Sequence, residues 1–293
     1  MTLPSSSRRR SYSVPLPHNR ILSLGARCLV MGVINVTPDS FGDAFHLTDA
    51  SQAIDAALRM QEEGADLIDV GGESTRPGAE PVSEQDELAR VVPVVEGIAG
   101  RLRIPLSVDT YKAGVARAAI EAGAAIVNDV SGLRYDPALA GVAAREGAAL
   151  VLMHTRGRSK TMYAEAVYAD LIGEIAAELR ASIEAAVAAG MPLDRVIVDP
   201  GIGFAKRAAD SYGVLARLPE LAKLVDRPLL VGPSRKSFMR DAVGNRPAHE
   251  RDWGTAAAVT AAVLGGAHIV RVHAVAEMAQ VVRVAEEIRT NQK

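Results

Sequence analysis

Short apolar runs alternate with longer segments of helical spacing from residue 28 almost to the end of the chain. The runs are rich in Val, Ile and Leu and fall at 28–34, 66–70, 106–109, 125–129, 150–154, 196–199, 229–232 and 269–273. Runs that are apolar throughout, without strict alternation, are typical of parallel strands that are covered on both faces. Eight such strands, each followed by a helix, predict an α/β fold, a single-domain (β/α)8 TIM barrel.

The segments between the runs predict helices with defined ends. The longest segment separates the fifth and sixth strands, and four of its aliphatic residues share one helical face: Ile172, Leu179, Ile183 and Val187. Gly190 followed by Pro192 would end that helix, and Ser83 followed by acidic residues would begin another. A doubly wound open sheet is the alternative, but the Gly-rich turn that usually follows its first strand is missing after run 28–34.

Composition narrows the class of protein. The chain has 293 residues, 48% of them hydrophobic and 23% charged, which is ordinary for a globular domain with a large core. A net charge of −2 gives no general reason to expect nucleic acid or a membrane surface as a partner. No apolar run approaches the roughly 18 residues of a membrane span. The single cysteine, Cys28, excludes an internal disulfide and favours a cytoplasmic location.

Residues 1–20 precede the first apolar run and include Arg8, Arg9 and Arg10. No apolar signal core follows these charges. We therefore expect residues 1–20 to be a flexible, loosely ordered N-terminal extension and 21–293 to form the barrel domain. A basic arm that binds nucleic acid is the alternative for this extension.

Polar residues stand at the end of every predicted strand. In a barrel the carboxyl ends of the strands open at one mouth, where active sites lie. In chain order these ends carry Asn35, the loop 71–78, Asp109, Asn128 with Asp129, His154, Asp199, the turn of Ser234, Arg235 and Lys236, and Arg271 with His273. The pattern predicts one polar mouth assembled from all eight strands.

Simpler structural roles are open for some of these residues. Asp109 could cap the helix that follows it, Asp129 favours a turn, and His154 could be a hydrogen-bonded core histidine. Arg271 and His273 alternate along one strand and would face the barrel interior together. Two basic side chains in that position point to a bound anion.

Two subsites follow from the residue types. One set would offer fixed donors and acceptors to a flat, nitrogen-rich heterocycle: Asp109, Asn128, Asp199 and Lys236. The other set would form an anion pocket: Asn35, Arg271 and His273. A hard cation such as Mg2+ would suit that pocket, because it prefers oxygen ligands and keeps several waters.

Eight motifs occur in series along the chain: NVTPDSF at 35–41, GGESTRPG at 71–78, SVDT at 107–110, VNDVSG at 127–132, LMHTRG at 152–157, DPGIGF at 199–204, SRKS at 234–237 and RVH at 271–273. Over nearly all of residues 28–280 the chain resembles the dihydropteroate synthase family. That family condenses 6-hydroxymethyl-7,8-dihydropterin diphosphate with 4-aminobenzoate in folate biosynthesis, releases diphosphate, and is the target of sulfonamides. The resemblance implies a Mg2+-dependent transferase with two small-molecule substrates.

The resemblance also implies roles for individual residues. The pterin would be held by Asp109, Asn128, Asp199 and Lys236. Diphosphate would be held by Asn35, Arg271 and His273, with Asn35 next to Mg2+; these three and Lys236 would be the catalytic residues. The 4-aminobenzoate site and its lid would be formed by Phe41, Thr75, Arg76, Pro77, Phe204 and Ser237. Loops 35–46 and 71–80 would close over the site to exclude water.

Some positions depart from the family pattern. Residues 42–46 read GDAFH where Ser-Asp-Gly-Gly is usual, which bears on sulfonamide response, and Ile202 and Ala205 also differ, whereas Lys206 is kept. Two alternatives share the pterin pocket: a pterin-binding methyltransferase domain and a non-catalytic pterin-binding paralogue. The retained motifs at 74–77 and 234–236 favour a synthase.

The last two predicted helices, at 255–264 and 275–288, are rich in Ala and Val. This composition indicates a homodimer formed through them, as in the family. Burial within one chain would explain the same pattern.

Overall fold

Parallel strands close into a barrel in the computed structural model, which describes residues 9–37, 50–75 and 78–291. The strands of the described residues are β1 (Tyr12–Leu16), β2 (Arg20–Leu24), β3 (Leu29–Asn35), β4 (Leu67–Gly71), β5 (Leu106–Asp109), β6 (Ile126–Asp129), β7 (Ala149–Met153), β8 (Val196–Asp199), β9 (Leu230–Val231) and β10 (Ile269–Val272). The parallel sheet runs in the order β8-β7-β6-β5-β4-β3-β10-β9. A parallel bridge between Val198 and Leu229 joins its two edges. The predicted (β/α)8 barrel in a single domain is confirmed.

Helices connect the strands of the barrel and cover its outside. They are α1 (Ala50–Glu62), α2 (Glu84–Ala99), α3 (Ala113–Glu121), α4 (Ala138–Arg145), α5 (Leu171–Ala188), α6 (Ala208–Ala216), α7 (Leu218–Val225), α8 (Arg240–Val243), α9 (Asp252–Leu264) and α10 (Val275–Thr290). Short 3-10 turns lie at Leu193–Arg195, Ser237–Met239 and Ala248–Glu250. In the part of the chain that the structure describes, no helix has the length and apolar character needed to cross a bilayer.

The predicted helix ends agree with the structure at the two places where the sequence marked them. The Ser83 side chain accepts a hydrogen bond from the Asp86 backbone over 3.1 Å and so caps α2. The helix α5 ends before Gly190, and Ile172, Leu179 and Ile183 are buried on its inner face. Val187 is 45% exposed, so the prediction was wrong for this last position of the apolar face.

The apolar core has two layers separated by the sheet. Alternate residues of each strand face outward against the helices or inward along the barrel axis. On β4, Ile68 and Val70 belong to the outer layer, whereas Leu67 belongs to the inner one. The inner layer fills only the amino-terminal half of the barrel, so the carboxyl ends of the strands are left for polar side chains.

A β-hairpin closes the amino-terminal end of the barrel. The strand β1 pairs antiparallel with β2, from Tyr12 opposite Leu24 to Leu16 opposite Arg20. The inward-facing residues of the hairpin join the inner core layer: Val14, Leu16, Leu22 and Leu24. The prediction of a loosely ordered segment was therefore wrong for residues 12–20. Burial alternates along the ends of both strands, although Ile21 and Leu22 are adjacent apolar residues, and the buried face needs the open barrel end as a partner.

The residues before the hairpin are tied to the barrel as well. Arg9 is 7% exposed and its Nη2 lies 2.7 Å from Oε1 of Glu286 on α10. His268 donates from Nε2 to the Arg10 carbonyl over 2.9 Å and accepts at Nδ1 from the Leu229 backbone over 3.0 Å. Arg9 thus has a structural role and is not part of an exposed basic arm; residues 1–8 lie outside the described residues.

Candidate active site

A buried network of charged groups crosses the barrel at its carboxyl end. Arg271 on β10 donates from Nε to Oδ2 of Asp69 over 2.6 Å, and from Nη2 to Oδ2 of Asp109 over 2.7 Å. Asn128 on β6 donates from Nδ2 to the same Asp69 oxygen over 2.9 Å. Arg271, which was expected to bind an anion, is therefore already paired with two carboxylates. This pairing by itself explains why a guanidinium is buried here.

Asp69 is the residue of this network that sequence reasoning missed. The run 66–70 was interpreted only as a buried strand, yet Asp69 is fully buried and faces the interior beside Arg271. Alternate residues of a strand face the same side, so Asp69 faces inward together with Leu67 and Gly71. This alternation could have shown from the sequence that the Asp69 carboxylate lies inside the barrel. Its second oxygen, Oδ1, has no hydrogen-bond partner among the described residues.

The electrostatics of the network follow from burial. Burial raises the pKa of Asp109 to about 7, and nearby Asp69 adds to this effect while Arg271 opposes it. Burial alone would lower the pKa of Arg271, but the two carboxylates outweigh it and the pKa is raised. Arg271 therefore keeps its charge, whereas Asp109 gains or loses its proton near neutral pH.

A second group of side chains converges on Gly232, just beyond β9. A Cβ atom at Gly232 would lie 3.7 Å from Cβ of Arg271, 3.8 Å from Oδ2 of Asp199 and 3.9 Å from Nζ of Lys236. Lys236 also donates to the Ile202 carbonyl over 2.6 Å. The structure thus brings Asp199 and Lys236 together with Arg271 at one point of the mouth, although the sequence assigned Arg271 to a separate anion pocket.

The charges of this second group are tuned by burial too. Burial raises the pKa of Asp199, against the opposing effect of Lys236 and a 2.7 Å bond from the Gly201 backbone. Burial lowers the pKa of Lys236 to about 8, although Asp199 favours its charged form. The pair therefore offers a carboxylate and an ammonium that are both poorly solvated, which strengthens any hydrogen bond to a bound ring.

Histidine and serine side chains form the side of the mouth next to β10. Nδ1 of His273 lies 2.9 Å from Oγ of Ser234, and the His273 backbone donates to the same oxygen over 3.2 Å. Arg235 lies behind them and forms two hydrogen bonds, of 2.7 and 2.8 Å, with Asp252. A cavity of about 200 Å3 opens beside His273 at the N-terminus of α10, lined by charges of both signs.

Asn35 is the last residue of β3, which pairs with β10 on the side away from β9. It lies in register with Gly71 of β4, which in turn pairs with Asp109 of β5. A Cβ at Gly71 would come 3.2 Å from Cβ of Asp109, so a glycine here makes room for that carboxylate. Asn35 is partly exposed and opens to the mouth.

The residues expected at the 4-aminobenzoate side are only partly described. Thr75, Phe204 and Ser237 are half-buried at the mouth. The Lys236 ammonium lies 4.4 Å from the centroid of the Phe204 ring, so a residue expected at the pterin side and one expected at the 4-aminobenzoate side lie next to each other. Phe41, Arg76 and Pro77, together with most of the loop 35–46 expected to close over the site, lie outside the described residues.

The start of the loop 71–78 is anchored by Glu73. The Tyr111 hydroxyl donates to Oε1 of Glu73 over 2.9 Å, and Lys112 pairs with Oε2. The Val82 backbone donates to the same carboxylate over 3.2 Å. Glu73 therefore holds the base of the loop against the next βα unit and is engaged within the protein.

The simpler roles weighed for three strand-end residues are now resolved. Asp109 does not cap α3, because Asp136 accepts from the Ala113 backbone there over 2.8 Å. Asp129 accepts from the backbones of Ser131 and Leu133 and so shapes its own turn, as predicted. His154 is a buried, hydrogen-bonded histidine whose Nδ1 lies 2.8 Å from Nζ of Lys206.

Comparison with known proteins identifies the family of this chain. A family model described as "Pterin binding enzyme" matches residues 31–273. Dihydropteroate synthase of Synechocystis sp. is 46% identical over 278 residues, which cover 94% of this chain and 96% of the relative. The Bacillus subtilis dihydropteroate synthase is 44% identical and 90% of each chain is covered. The chain belongs to the dihydropteroate synthase family.

Solved structures of dihydropteroate synthases have the same fold. The Yersinia pestis enzyme, in a complex with a sulfonamide drug, superposes with a TM-score of 0.89 at 43% identity, covering 95% of this chain and 99% of the other. The Xanthomonas albilineans enzyme with 4-aminobenzoic acid superposes with a TM-score of 0.86 at 41% identity, covering 96% and 99%. The resemblance to dihydropteroate synthase inferred from the eight motifs is confirmed.

Proposed function

We propose that this chain condenses 6-hydroxymethyl-7,8-dihydropterin diphosphate with 4-aminobenzoate, giving 7,8-dihydropteroate and diphosphate. The observation that carries the proposal is the convergence of Arg271, Asp199 and Lys236 around Gly232, next to the Asp109 carboxylate. Carboxylates accept from ring N–H and amino groups, and an ammonium donates to a ring nitrogen or carbonyl. A pterin presents both kinds of group along the edge of a flat ring.

Within this proposal, Asp109, Asn128, Asp199 and Lys236 hold the pterin. The Asn128 amide already donates to Asp69, which orients its carbonyl oxygen away from that carboxylate and leaves it as an acceptor. Asp199 is 5% exposed and Asn128 is 3% exposed, so their hydrogen bonds form in a poorly solvated environment. The residues mainly position the ring and need not exchange protons with it.

Arg271 and His273 would bind the diphosphate, with Asn35 across the mouth. Arg271 has five N–H donors, and its bonds to Asp69 and Asp109 use two of them. Binding of a phosphate oxygen therefore does not require either bond to break. Cationic side chains that take up the charge developing on diphosphate would make it a good leaving group.

Mg2+ fits the residues on this side of the mouth. Asn35 offers a partly exposed amide oxygen, and Mg2+ accepts one or two protein oxygens together with phosphate oxygens and water. The ion would neutralise diphosphate charge in the bound substrate. Asn35 would hold the ion. When the C–O bond to diphosphate breaks, the conjugated pterin ring would stabilise the methylene cation that is left.

Phe204, Ser237 and Thr75 would bind 4-aminobenzoate, together with Phe41, Arg76 and Pro77 outside the described residues. The aniline nitrogen is nucleophilic without prior deprotonation, so its attack on the methylene carbon needs no strong base. Correct placement of the ring then provides most of the catalytic effect. The Phe204 ring beside the Lys236 ammonium offers an apolar wall at the boundary with the pterin.

An assay of diphosphate release tests the function. We expect release that depends on both the pterin diphosphate and 4-aminobenzoate, with equimolar 7,8-dihydropteroate. A methyltransferase domain would release no diphosphate, and a non-catalytic paralogue would bind pterin without turnover. Either result would contradict the proposal.

A homodimer through α9 and α10 and a cytoplasmic location complete the proposal. A shallow groove between these helices is lined by apolar residues including Ala256, Val281 and Ile288. Val284 is 61% exposed and Ile288 is 47% exposed on the same helix, so the groove carries an exposed apolar patch of the kind that marks interaction sites. Val284→Glu should convert a dimer to monomers in sedimentation equilibrium, with the exposed Arg283→Glu as control.

The proposed cytoplasmic location agrees with the state of Cys28, which is a buried free thiol, as a reducing compartment permits.

A further inference from the structure

Residues 199–206 form a segment, here called the β8–α6 segment, that borders both proposed subsites. Asp199 at its start points to the pterin side, and Phe204 near its end lies at the 4-aminobenzoate side. Between them the Ile202 carbonyl accepts from Lys236 over 2.6 Å. The conformation of this one segment therefore sets the relative position of the two substrates.

Close packing against β7 restricts the segment. Gly201 has a φ of +69°, and a Cβ there would lie only 2.0 Å from the His154 carbonyl. The Tyr168 hydroxyl donates to the Ala205 carbonyl over 2.8 Å. The segment is thus held from β7 and from the chain that leads into α5, and neither of these contacts involves a substrate-facing atom.

Lys206 is the largest group that fixes the segment from behind. Its side chain is 1% exposed, and its Nζ lies 2.8 Å from Nδ1 of His154 and 3.1 Å from the Phe204 carbonyl. Both of these acceptors are uncharged. Burial of an ammonium without a carboxylate in direct contact is costly, so its retention calls for a role beyond packing.

His154 is held ready to accept from Lys206. Burial, together with the neighbouring Lys206 charge, lowers the pKa of His154 to about 3, so the imidazole is neutral. Its Nε2 lies 3.3 Å from Oε2 of Glu178 on α5, and Arg156 donates from Nε to the other Glu178 oxygen over 2.9 Å. The Nε2 proton therefore faces Glu178, and the Nδ1 lone pair faces Lys206.

Burial lowers the pKa of Lys206 to about 7, against the opposing effect of Asp199, so its ammonium is charged mainly below neutral pH. The charged groups around Lys206 are Asp199 on β8, Lys236 beyond β9, Glu178 on α5 and Arg156 beyond β7. Those around Asp199 are Lys236, Lys206 and Arg271, and all three favour its ionised form. Lys206 is the member of this set that lies on the same segment as Asp199.

We propose that Lys206 is a positioning residue for both subsites: its hydrogen bonds to His154 and to the Phe204 carbonyl hold the β8–α6 segment in place. The subsites it serves are those of the function proposed above, on which this inference rests. Loss of these hydrogen bonds misplaces Phe204. Below about pH 7, where the ammonium is charged, its loss also favours the protonated form of Asp199.

The test compares Lys206→Met with Lys223→Met, a control at an exposed lysine of α7. Kinetics of diphosphate release are measured from pH 5 to 9, and stability by urea denaturation. For Lys206→Met we expect KM for 4-aminobenzoate to rise about tenfold. The acid limb of kcat/KM should move to higher pH, because a positive charge that favours ionised Asp199 is removed. The urea midpoint should change little, because the loss of two buried hydrogen bonds and the relief of a buried charge oppose each other.

His154→Leu provides a second, independent variant. It removes the acceptor but leaves the ammonium, so KM for 4-aminobenzoate should rise while the acid limb stays where it is in the wild type. Lys206→Met with an unchanged KM and pH profile would overturn the proposal. So would a loss of activity that is matched by loss of folded protein in both variants. Turnover by the wild-type chain is measured in the same assay, so failure of the proposed function is recognised separately.

Discussion

Nε of Arg271 and Oδ2 of Asp69 lie 2.6 Å apart inside the barrel, although 202 positions separate the two residues in the chain. The bond joins the last strand to β4 across the intervening β3, and Asp109 of β5 binds the same guanidinium. The residues that would bind substrate are therefore also the residues that hold the carboxyl ends of the strands together. Changes in this network affect stability and activity at once.

Arg271→Ala should damage both properties in a defined way. Removal of the guanidinium leaves Asp69 and Asp109 as buried carboxylates without their cationic partner, which should lower the free energy of unfolding by about 3–5 kcal/mol. The value of kcat/KM for the pterin diphosphate should fall at least about 100-fold, because a cation that binds diphosphate is lost. Affinity for a bare 6-hydroxymethylpterin, which has no diphosphate, should change less. Urea denaturation, steady-state kinetics and calorimetry measure these quantities. The exposed Arg283→Ala on α10 is the control, and equal losses for the two ligands would contradict the assignment.

Asp199→Asn should act mainly on the pterin. An amide keeps the shape of the side chain but replaces one acceptor by a donor, which would face a ring N–H. We expect affinity for bare 6-hydroxymethylpterin to fall at least about 30-fold, as measured by calorimetry with folded protein. Asp194→Asn, at an exposed position in the turn before β8, is the matched control. Normal pterin binding by Asp199→Asn would show that the pocket is placed wrongly.

Pterin affinity should increase with pH around neutrality because of Asp109. The pKa of this carboxyl is about 7, and only its ionised form accepts hydrogen bonds at both oxygens. Between pH 6 and 8 the ionised fraction rises about tenfold, and affinity should rise by a similar factor. Asp109→Asn should abolish this dependence, whatever its effect on affinity at a single pH. A wild-type affinity that is flat over this range would exclude Asp109 as the acceptor.

The same carboxyl affects stability with the opposite sign. Its pKa is raised from the ordinary value of 3.8, so the folded state binds this proton more tightly than the unfolded state. The contribution is fully present below about pH 4 and is lost as the pH rises through 7. Without ligand, the free energy of unfolding of the wild type should therefore fall from pH 4 to 7 relative to that of Asp109→Asn, which has no carboxyl to titrate at this position.

Phe204→Ala should separate the two substrates. The ring is half-buried at the boundary between the proposed subsites, with the Lys236 ammonium 4.4 Å from its centroid. Loss of this wall should raise KM for 4-aminobenzoate about tenfold or more, since a buried aromatic contact contributes on the order of 1–3 kcal/mol. Affinity for the bare pterin should change less than threefold. A larger effect on the pterin than on 4-aminobenzoate would reverse the assignment.

The N-terminal hairpin should contribute strongly to stability. Leu22 is 6% exposed inside the barrel end, whereas its neighbour Ile21 is 63% exposed. Leu22→Ala should lower the free energy of unfolding by about 2–5 kcal/mol, because a cavity would be left in a packed core. Ile21→Ala should change it by less than about 0.5 kcal/mol. Equal effects in urea denaturation would mean that the hairpin is not packed as described.

Much of the fold could be predicted because the order of strands and helices follows from patterns of neighbouring residues. Eight apolar runs separated by helical segments are a property of neighbouring residues, and Ser83 caps α2 where its acidic neighbours indicated a helix start. The strand-end residues Asp109, Asn128, Asp199 and Arg271 could be placed at one mouth because all strands of a parallel barrel point the same way. The hairpin was missed because its apolar face has meaning only once the open barrel end is present.

The sequence by itself determined the strand and helix order, the polar mouth and the family motifs, since each depends on residues close together in the chain. Only the tertiary structure decided which charges compensate one another. Asp69 looked like an interruption of a buried strand, and Arg271 looked like a cation in need of an anion. They are partners at 2.6 Å. The cost of a buried charge depends on the groups within a few ångströms of it, and in a closed barrel those groups come from strands that are far apart in sequence.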